Sequence, residues 1–96
     1  MKTYRGGRSL EGAVVTVDGQ TLDPRRDLRL FSATGFEWTY EGAGPAQLAL
    51  ALLADHLGED AKALSLYEPF MRRVVAELDN SWELTSADIE AALAEL

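Results

Sequence analysis

The feature that most constrains the fold is a stretch of alanine and leucine, Ala46–Leu57, that has almost no polar face. Its leucines recur at helical spacing, and Leu50 and four alanines occupy the remaining sides. A helix that is apolar on every side has to be covered by other elements. The sequence therefore predicts a buried helix, which begins near Pro45, a residue tolerated in a first turn, and ends at Gly58.

Length and composition define the class of protein. Ninety-six residues provide one hydrophobic core, so we expect a single domain, residues 1–96. The 47% apolar and 26% charged residues are typical of a globular chain. The absence of cysteine excludes disulfides, a thiol nucleophile and cysteine zinc sites. No apolar run reaches the roughly 20 residues of a membrane span, and no secretory signal is evident, so we expect a cytoplasmic protein.

The first half indicates strands and turns. Lys2–Arg5 is a short candidate strand that the following glycines should end, and Ala13–Val17 is a β-branched run that suits a sheet. Asp18-Gly19 is a strong hairpin signal, because a type I′ turn needs positive φ at both central residues, and Gln20–Leu22 would be the return strand. The alternation of aromatic and polar residues in Phe36–Tyr40 predicts the clearest strand of all.

The second half indicates helices. Asp60–Leu78 carries an apolar stripe at helical spacing, and Pro69 should kink or split that helix near Tyr67-Glu68. Trp82–Leu84 is compatible with a short strand or an anchoring loop, and Thr85–Asp88 resembles a capping box that starts a last helix. The predicted fold is α+β, a small antiparallel sheet packed against two longer helices and a short C-terminal one.

Charge is distributed unevenly along the chain, whose net charge is −7. Residues 1–33 hold six basic and four acidic side chains, whereas residues 34–96 hold three basic and twelve acidic ones. Such a surface repels nucleic acid and attracts basic partners, so we expect no direct nucleic-acid binding. The candidate partner-binding residues are the acids on the outer face of the helices: Glu59, Asp60, Glu68, Glu77 and Asp79.

No pattern of catalytic residues is present. His56 is the only histidine, and the chain has no G-x-S-x-G elbow, phosphate-binding loop or metal-ligand spacing. We therefore expect no enzyme, no cofactor and no metal. An alternative is a small domain that binds an anionic metabolite or nucleotide, with His56 as acid or base and with Arg5, Arg8 and Arg25 as anion contacts. The group Asp23–Asp27 is expected to pair its charges internally across a turn.

The stretch Thr34–Leu53, TGFEWTYEGAGPAQLALALL, resembles the signature of a family of short uncharacterised proteins that occur in bacteria and archaea, often on plasmids and prophages. Tyr4–Gly6 and Trp82–Thr85 also fit that pattern. The resemblance implies no catalytic residues, because the family has no established activity. It implies an accessory gene of a mobile element. The typical family motif has glycine in place of Thr39, which predicts a strand or bend there that tolerates a side chain.

The expected function is that of a non-enzymatic protein whose acidic helical face engages a protein with a basic surface. A host defence complex that binds nucleic acid, such as a CRISPR effector, is one such partner, since carboxylates can occupy the positions of phosphates. The other alternative is a homodimeric structural accessory protein, joined through the C-terminal helix or the edge of the aromatic strand. Gln47 near the start of the first helix is expected to cap a free backbone donor.

Overall fold

A computed structural model describes residues 1–96, with four strands, three α-helices and one 3₁₀ turn. The strands are β1 (Thr3–Ser9), β2 (Gly12–Val17), β3 (Gln20–Thr21) and β4 (Trp82–Thr85). The helices are α1 (Ala43–Leu57), α2 (Asp60–Arg73) and α3 (Ser86–Ala94), and the 3₁₀ turn Val75–Glu77 follows α2. The α+β class, with an antiparallel sheet, two longer helices and a short C-terminal helix, is confirmed.

The sheet joins the two ends of the chain. Its strand order is β3-β2-β1-β4, and every neighbouring pair is antiparallel. The register between β1 and β4 places Tyr4 opposite Leu84, Arg5 opposite Glu83 and Gly6 opposite Trp82. The two short motifs at the ends of the sequence are therefore paired with each other across one ladder.

The β1–β2 hairpin extends beyond both of its neighbours. β4 ends opposite Gly6, and β3 pairs with β2 only at Thr16 and Val17. Residues 7–14 therefore form a two-stranded ribbon with its own two-residue turn, and we call this segment the ribbon. The expectation that Gly6 and Gly7 end the first strand is wrong, because both glycines lie inside β1.

The predicted turn between β2 and β3 is confirmed. Asp18 has φ 49° and Gly19 has φ 82°, so both central residues are in the left-handed region that a type I′ turn needs. The Asp18 side chain also accepts a hydrogen bond from the Thr3 backbone N–H at 2.8 Å. This contact fixes the turn to the start of β1.

Helix α1 is the centre of the molecule, as its composition predicts. Every residue from Gly44 to Ala54 is buried. The surrounding layers are α2, the inner face of the sheet with Tyr4 and Val15, and the irregular segment 22–42. Gly58 has φ 67° and ends the helix in the left-handed conformation. None of the helices is both long enough and apolar enough to span a bilayer.

The predicted strand Phe36–Tyr40 does not form. Trp38 is fully buried and Tyr40 is half exposed, so the aromatic side chains do not share one face. Thr39 between them has φ 81°, which turns the chain, and its N–H donates to the Val75 carbonyl at 3.2 Å. The expected bend at Thr39 is present and carries an exposed side chain, but at a positive φ where a β-branched residue is strained.

The second long helix ends earlier than predicted, and Pro69 does not split it. Only four helical residues follow Pro69, so the single hydrogen bond that it removes lies close to the natural end at Arg73. Thr85 and Asp88 form the predicted capping box at the start of α3. Trp82–Leu84 is a strand rather than a loop.

Candidate functional site

The five acidic residues singled out from the sequence are all exposed, and three of them are paired within the chain. The pairs are Glu59 with Lys62 at 3.9 Å, Asp60 with Arg25 at 3.1 Å, and Glu68 with Arg72 at 3.2 Å. Ion pairs between exposed side chains are worth about 0–1 kcal/mol. These three carboxylates, one at the N-cap of α2 and two within it, can therefore exchange their own cation for that of a partner at little cost.

Glu77 and Asp79 form no ion pair and no side-chain hydrogen bond; with Leu78 between them they make up the stretch 77–79, which we call the acidic segment. It consists of the last residue of the 3₁₀ turn and the two residues that follow it. Arg73, four residues before Glu77, donates to the Glu95 carbonyl at 2.8 Å and forms no ion pair. The acidic segment therefore carries two exposed negative charges that no cation of the chain compensates.

The three arginines proposed as anion contacts are each bound to carboxylates from different parts of the chain. The partners are Glu83 for Arg5, Glu37 for Arg8, and Asp27 with Asp60 for Arg25. No pocket is present in the structure. The structure therefore does not bring these guanidinium groups together around a common ligand position.

The turn around Arg25 pairs its charges internally, as predicted. The Arg25 guanidinium bonds both carboxylate oxygens of Asp27 at 3.1 Å, and its backbone N–H bonds Asp23 at 2.9 Å. Hydrogen bonds to Asp27 and Asp60 raise the pKa of the Arg25 guanidinium, and the hydrogen bonds from Arg25 lower the pKa of the Asp27 carboxyl. Asp60, a candidate partner-binding residue, is therefore connected to this turn.

His56 joins α1 to α3 rather than to a nucleophile. Its Nε2 lies 2.5 Å from Glu90 Oε2, and its side chain is 11% exposed. The neighbouring Asp55 accepts hydrogen bonds from the Tyr4 hydroxyl at 2.6 Å and from Lys2 Nζ at 3.1 Å. Burial, followed by the hydrogen bond to Asp55, raises the pKa of Tyr4. No group of three or more potential metal ligands occurs.

Gln47 does not cap the start of α1, which has no side-chain cap, and instead binds the backbone of a neighbouring segment. Its side chain is fully buried, and its Oε1 accepts from the backbone N–H groups of Phe31 at 2.8 Å and Ser32 at 3.1 Å. Its Nε2 donates to the carbonyls of Pro24 at 2.7 Å and Arg29 at 3.2 Å. One amide thus holds residues 24–32 against α1. It also provides hydrogen-bond partners for four backbone groups that packing against α1 shields from water.

A second cluster joins the aromatic motif to the sheet. The Arg8 guanidinium lies 4.4 Å from the ring centroid of Trp38, and its Nε donates to Asn80 Oδ1 at 2.9 Å. Trp38 and Trp82 pack edge to face, with ring centroids 5.7 Å apart. Arg8 is therefore a structural residue in this arrangement, which lies directly beside the acidic segment.

Sequence reasoning missed the roles of Gln47 and Arg8 because their partners are distant in the chain. Gln47 bonds residues up to 23 positions away, and the Arg8 contact with Asn80 spans 72 positions. The available signal for Gln47 was a polar residue at the start of an otherwise apolar helix. Such a residue, when buried, needs hydrogen-bond partners.

Comparison with known proteins gives a family but no function. No curated protein and no solved structure matches the chain. A model of a family of unknown function, DUF6166, matches residues 4–95, which include all of β1 except its first residue and every later strand and helix. The protein belongs to the family of unknown function DUF6166.

Proposed function

We propose that this protein is a non-catalytic binding protein, and that its acidic segment engages a basic surface on another protein. The observation that carries the proposal is the pair of exposed carboxylates, Glu77 and Asp79, which have no cation within the chain. The carboxylates of Glu59, Asp60 and Glu68 would extend the contact along α2. An arginine of the partner would bind these groups through charge-assisted hydrogen bonds.

The class of partner follows from the charge. Residues 34–96 carry three basic and twelve acidic side chains, so the helical part attracts cations and repels polyanions. Proteins that bind nucleic acid present a basic surface to it, and carboxylates of this chain would compete there with the phosphates. In the finer form of the proposal, the chain is an accessory protein of a mobile element that inhibits a host defence complex, such as a CRISPR effector.

The experiment that tests the proposal is capture of partners from host lysate with the tagged chain, with nuclease present and at two salt concentrations. Mass spectrometry identifies the bound proteins. We expect a basic protein that stays bound after nuclease treatment and dissociates at high salt, because salt screens exposed charges. A complex that survives high salt unchanged would contradict recognition through exposed carboxylates.

Two double variants make the test specific to the acidic segment. The variant E77Q/D79N removes its two charges, whereas E11Q/E83Q removes two charges from the hairpin turn and the sheet. At about 1 kcal/mol for each carboxylate, E77Q/D79N should weaken binding roughly thirtyfold. The control should bind within about threefold of the native chain. Equal losses in both variants would mean that net charge, not the acidic segment, determines binding.

A further inference from the structure

Two arginines of the irregular segment 22–42 lie on the surface with no carboxylate bound to them. Arg26 and Arg29 are exposed and form no ion pair, unlike the three arginines that the sequence suggested as anion contacts. The Arg26 Nε donates to the Ser32 carbonyl at 3.2 Å, and the Arg29 guanidinium lies 5.9 Å from the ring centroid of Phe31. The terminal nitrogens of both guanidinium groups therefore remain available to a ligand.

Two hydroxyl groups lie next to the Arg26 guanidinium. The Ser32 Oγ and the Thr34 Oγ1 are 3.4 Å apart, and the carbonyl of the same Ser32 accepts the hydrogen bond from Arg26. The backbone N–H groups of Ala33 and Thr34 donate to no group of the chain. We call residues 26–35 the arginine loop. It carries guanidinium, hydroxyl and amide donors on one short stretch of surface.

The buried Gln47 fixes the arginine loop in place. Its Nε2 donates to the Arg29 carbonyl at 3.2 Å, and its Oε1 accepts from the N–H groups of Phe31 at 2.8 Å and Ser32 at 3.1 Å. The surface is open at Gly35, because no atom lies within 4 Å of its Cβ position. Donors that are fixed before binding lose less conformational entropy when a ligand arrives. The arginine loop is therefore both ordered and accessible.

We propose that the arginine loop binds the phosphate group of a small phosphorylated molecule. A phosphate monoester carries a charge of about −1.5 to −2 at neutral pH and three strong acceptor oxygens. It can therefore accept hydrogen bonds from guanidinium, hydroxyl and amide donors at the same time. A carboxylate has two oxygens, which a single arginine fork satisfies. The mixed set of donors in the arginine loop fits a phosphate better than a carboxylate.

Charge limits the ligand to a small molecule. Residues 34–96 hold three basic and twelve acidic side chains, so the chain repels polyanions such as nucleic acid. Residues 22–33, however, hold three arginines and two aspartates, and both aspartates are bound by Arg25. A single phosphate group meets only this locally positive segment. The proposal does not use the acidic segment, so it and the proposed function can fail independently.

NMR titration of the isotope-labelled chain tests the site, with inorganic phosphate and adenosine monophosphate as probes and the ionic strength held constant with sodium chloride. The amide resonances of Ala33, Thr34 and Gly35 should shift and saturate in the millimolar range, while that of Gly19 in the distant turn stays in place. Equal affinities would assign binding to the phosphate group alone. Tighter binding of the nucleotide would assign the site to a phosphate ester whose organic part contacts the exposed Leu30. The absence of a saturating shift with both probes overturns the proposal.

Two double variants separate the arginine loop from a general effect of charge. R26Q/R29Q removes both available guanidinium groups and should weaken phosphate binding about tenfold. R5Q/R72Q is the matched control, because it removes two exposed arginines that lie outside the arginine loop. The control should bind within about twofold of the native chain. Native affinity in R26Q/R29Q, or equal losses in both double variants, overturns the proposal.

A single variant keeps the test decisive where R26Q/R29Q disturbs the loop, which displaced amide resonances of Phe31 and Ser32 would report. Thr34→Val removes one exposed hydroxyl and preserves the shape of the side chain. The loss of one hydrogen bond to the ligand should weaken phosphate binding about fivefold. Native affinity in Thr34→Val would then overturn the proposal.

Discussion

The indole of Trp82 lies directly over Gly6, its cross-strand neighbour, and occupies the space that a side chain at Gly6 would need. A methyl group at Gly6 would lie 2.2 Å from Cε2 of Trp82 and 2.3 Å from its Nε1. The Trp82 Nε1 has no hydrogen-bond partner, so the contact is one of packing alone. The ring can cover the sheet here only because residue 6 has no Cβ.

Gly6→Ala should therefore destabilise the protein strongly. The methyl group would displace a buried indole that also packs against Trp38, and overpacking of a core costs about 1–3 kcal/mol. We expect a loss at the upper end of that range, measured by urea denaturation. Gly7→Ala is the control, because nothing lies within 4 Å of its Cβ position. It should be neutral or slightly stabilising, and a similar loss in both variants would contradict the role of Trp82.

Thr39→Gly should stabilise the fold. Thr39 has φ 81° and its side chain is exposed, so glycine would relieve backbone strain and lose little contact. The expected gain in the free energy of unfolding is about 1 kcal/mol. Thr39→Ala keeps the Cβ and should gain much less. A stabilisation by alanine as large as that by glycine would indicate that the threonine methyl or hydroxyl, not φ, is the unfavourable element.

Gln47→Leu should loosen residues 24–32 before it affects the sheet. The change leaves two part-buried N–H groups and two carbonyls without the side-chain partner they have in the native protein, and an unsatisfied group costs up to about 1–3 kcal/mol when it is fully buried. Hydrogen exchange should show lost protection at the Phe31 and Ser32 amides, with β1 still protected. The exposed Gln20→Leu is a matched control that should leave those amides unchanged.

The Tyr4 hydroxyl makes the free energy of unfolding depend on pH in the alkaline range. Because burial and Asp55 raise its pKa in the folded protein above the unfolded value of about 10, its contribution is complete below that value and is lost as the pH rises further. Unfolding free energies measured at pH 8 and pH 11 should therefore fall more steeply for the native chain than for Tyr4→Phe. Parallel pH profiles would show that the hydroxyl is not linked to folding.

Local signals in the sequence predicted the fold well. The Asp18-Gly19 turn, the buried helix and the capping box at Thr85 each depend on residues close together in the chain, and each is confirmed. The strand predicted at Phe36–Tyr40 failed because period-two alternation describes side chains but not backbone φ. The burial of Trp38 under Arg8 and Trp82 is a tertiary effect, which overrides that pattern.

For the same reason, the sequence predicted only part of the candidate site. The exposure of the five acidic residues was predicted correctly, although Glu77 and Asp79 follow α2 rather than lie on the outer face of a long helix. Their pairing was not, since Asp60 is bound by Arg25 from a turn 35 positions earlier. Composition reports how many charges a chain carries, but only the fold determines which of them, such as Glu77 and Asp79, remain without a partner.

The pairing of β1 with β4 has a consequence for how the protein is made. Tyr4 and Leu84 are neighbours in the sheet, yet 80 residues separate them in the chain. During synthesis the first strand must wait until β4 has emerged before its second ladder can close, and the core around α1 stays incomplete until then. We expect the nascent chain to reach its native state only after β4 has emerged, with the apolar helix as the segment most in need of a chaperone until then.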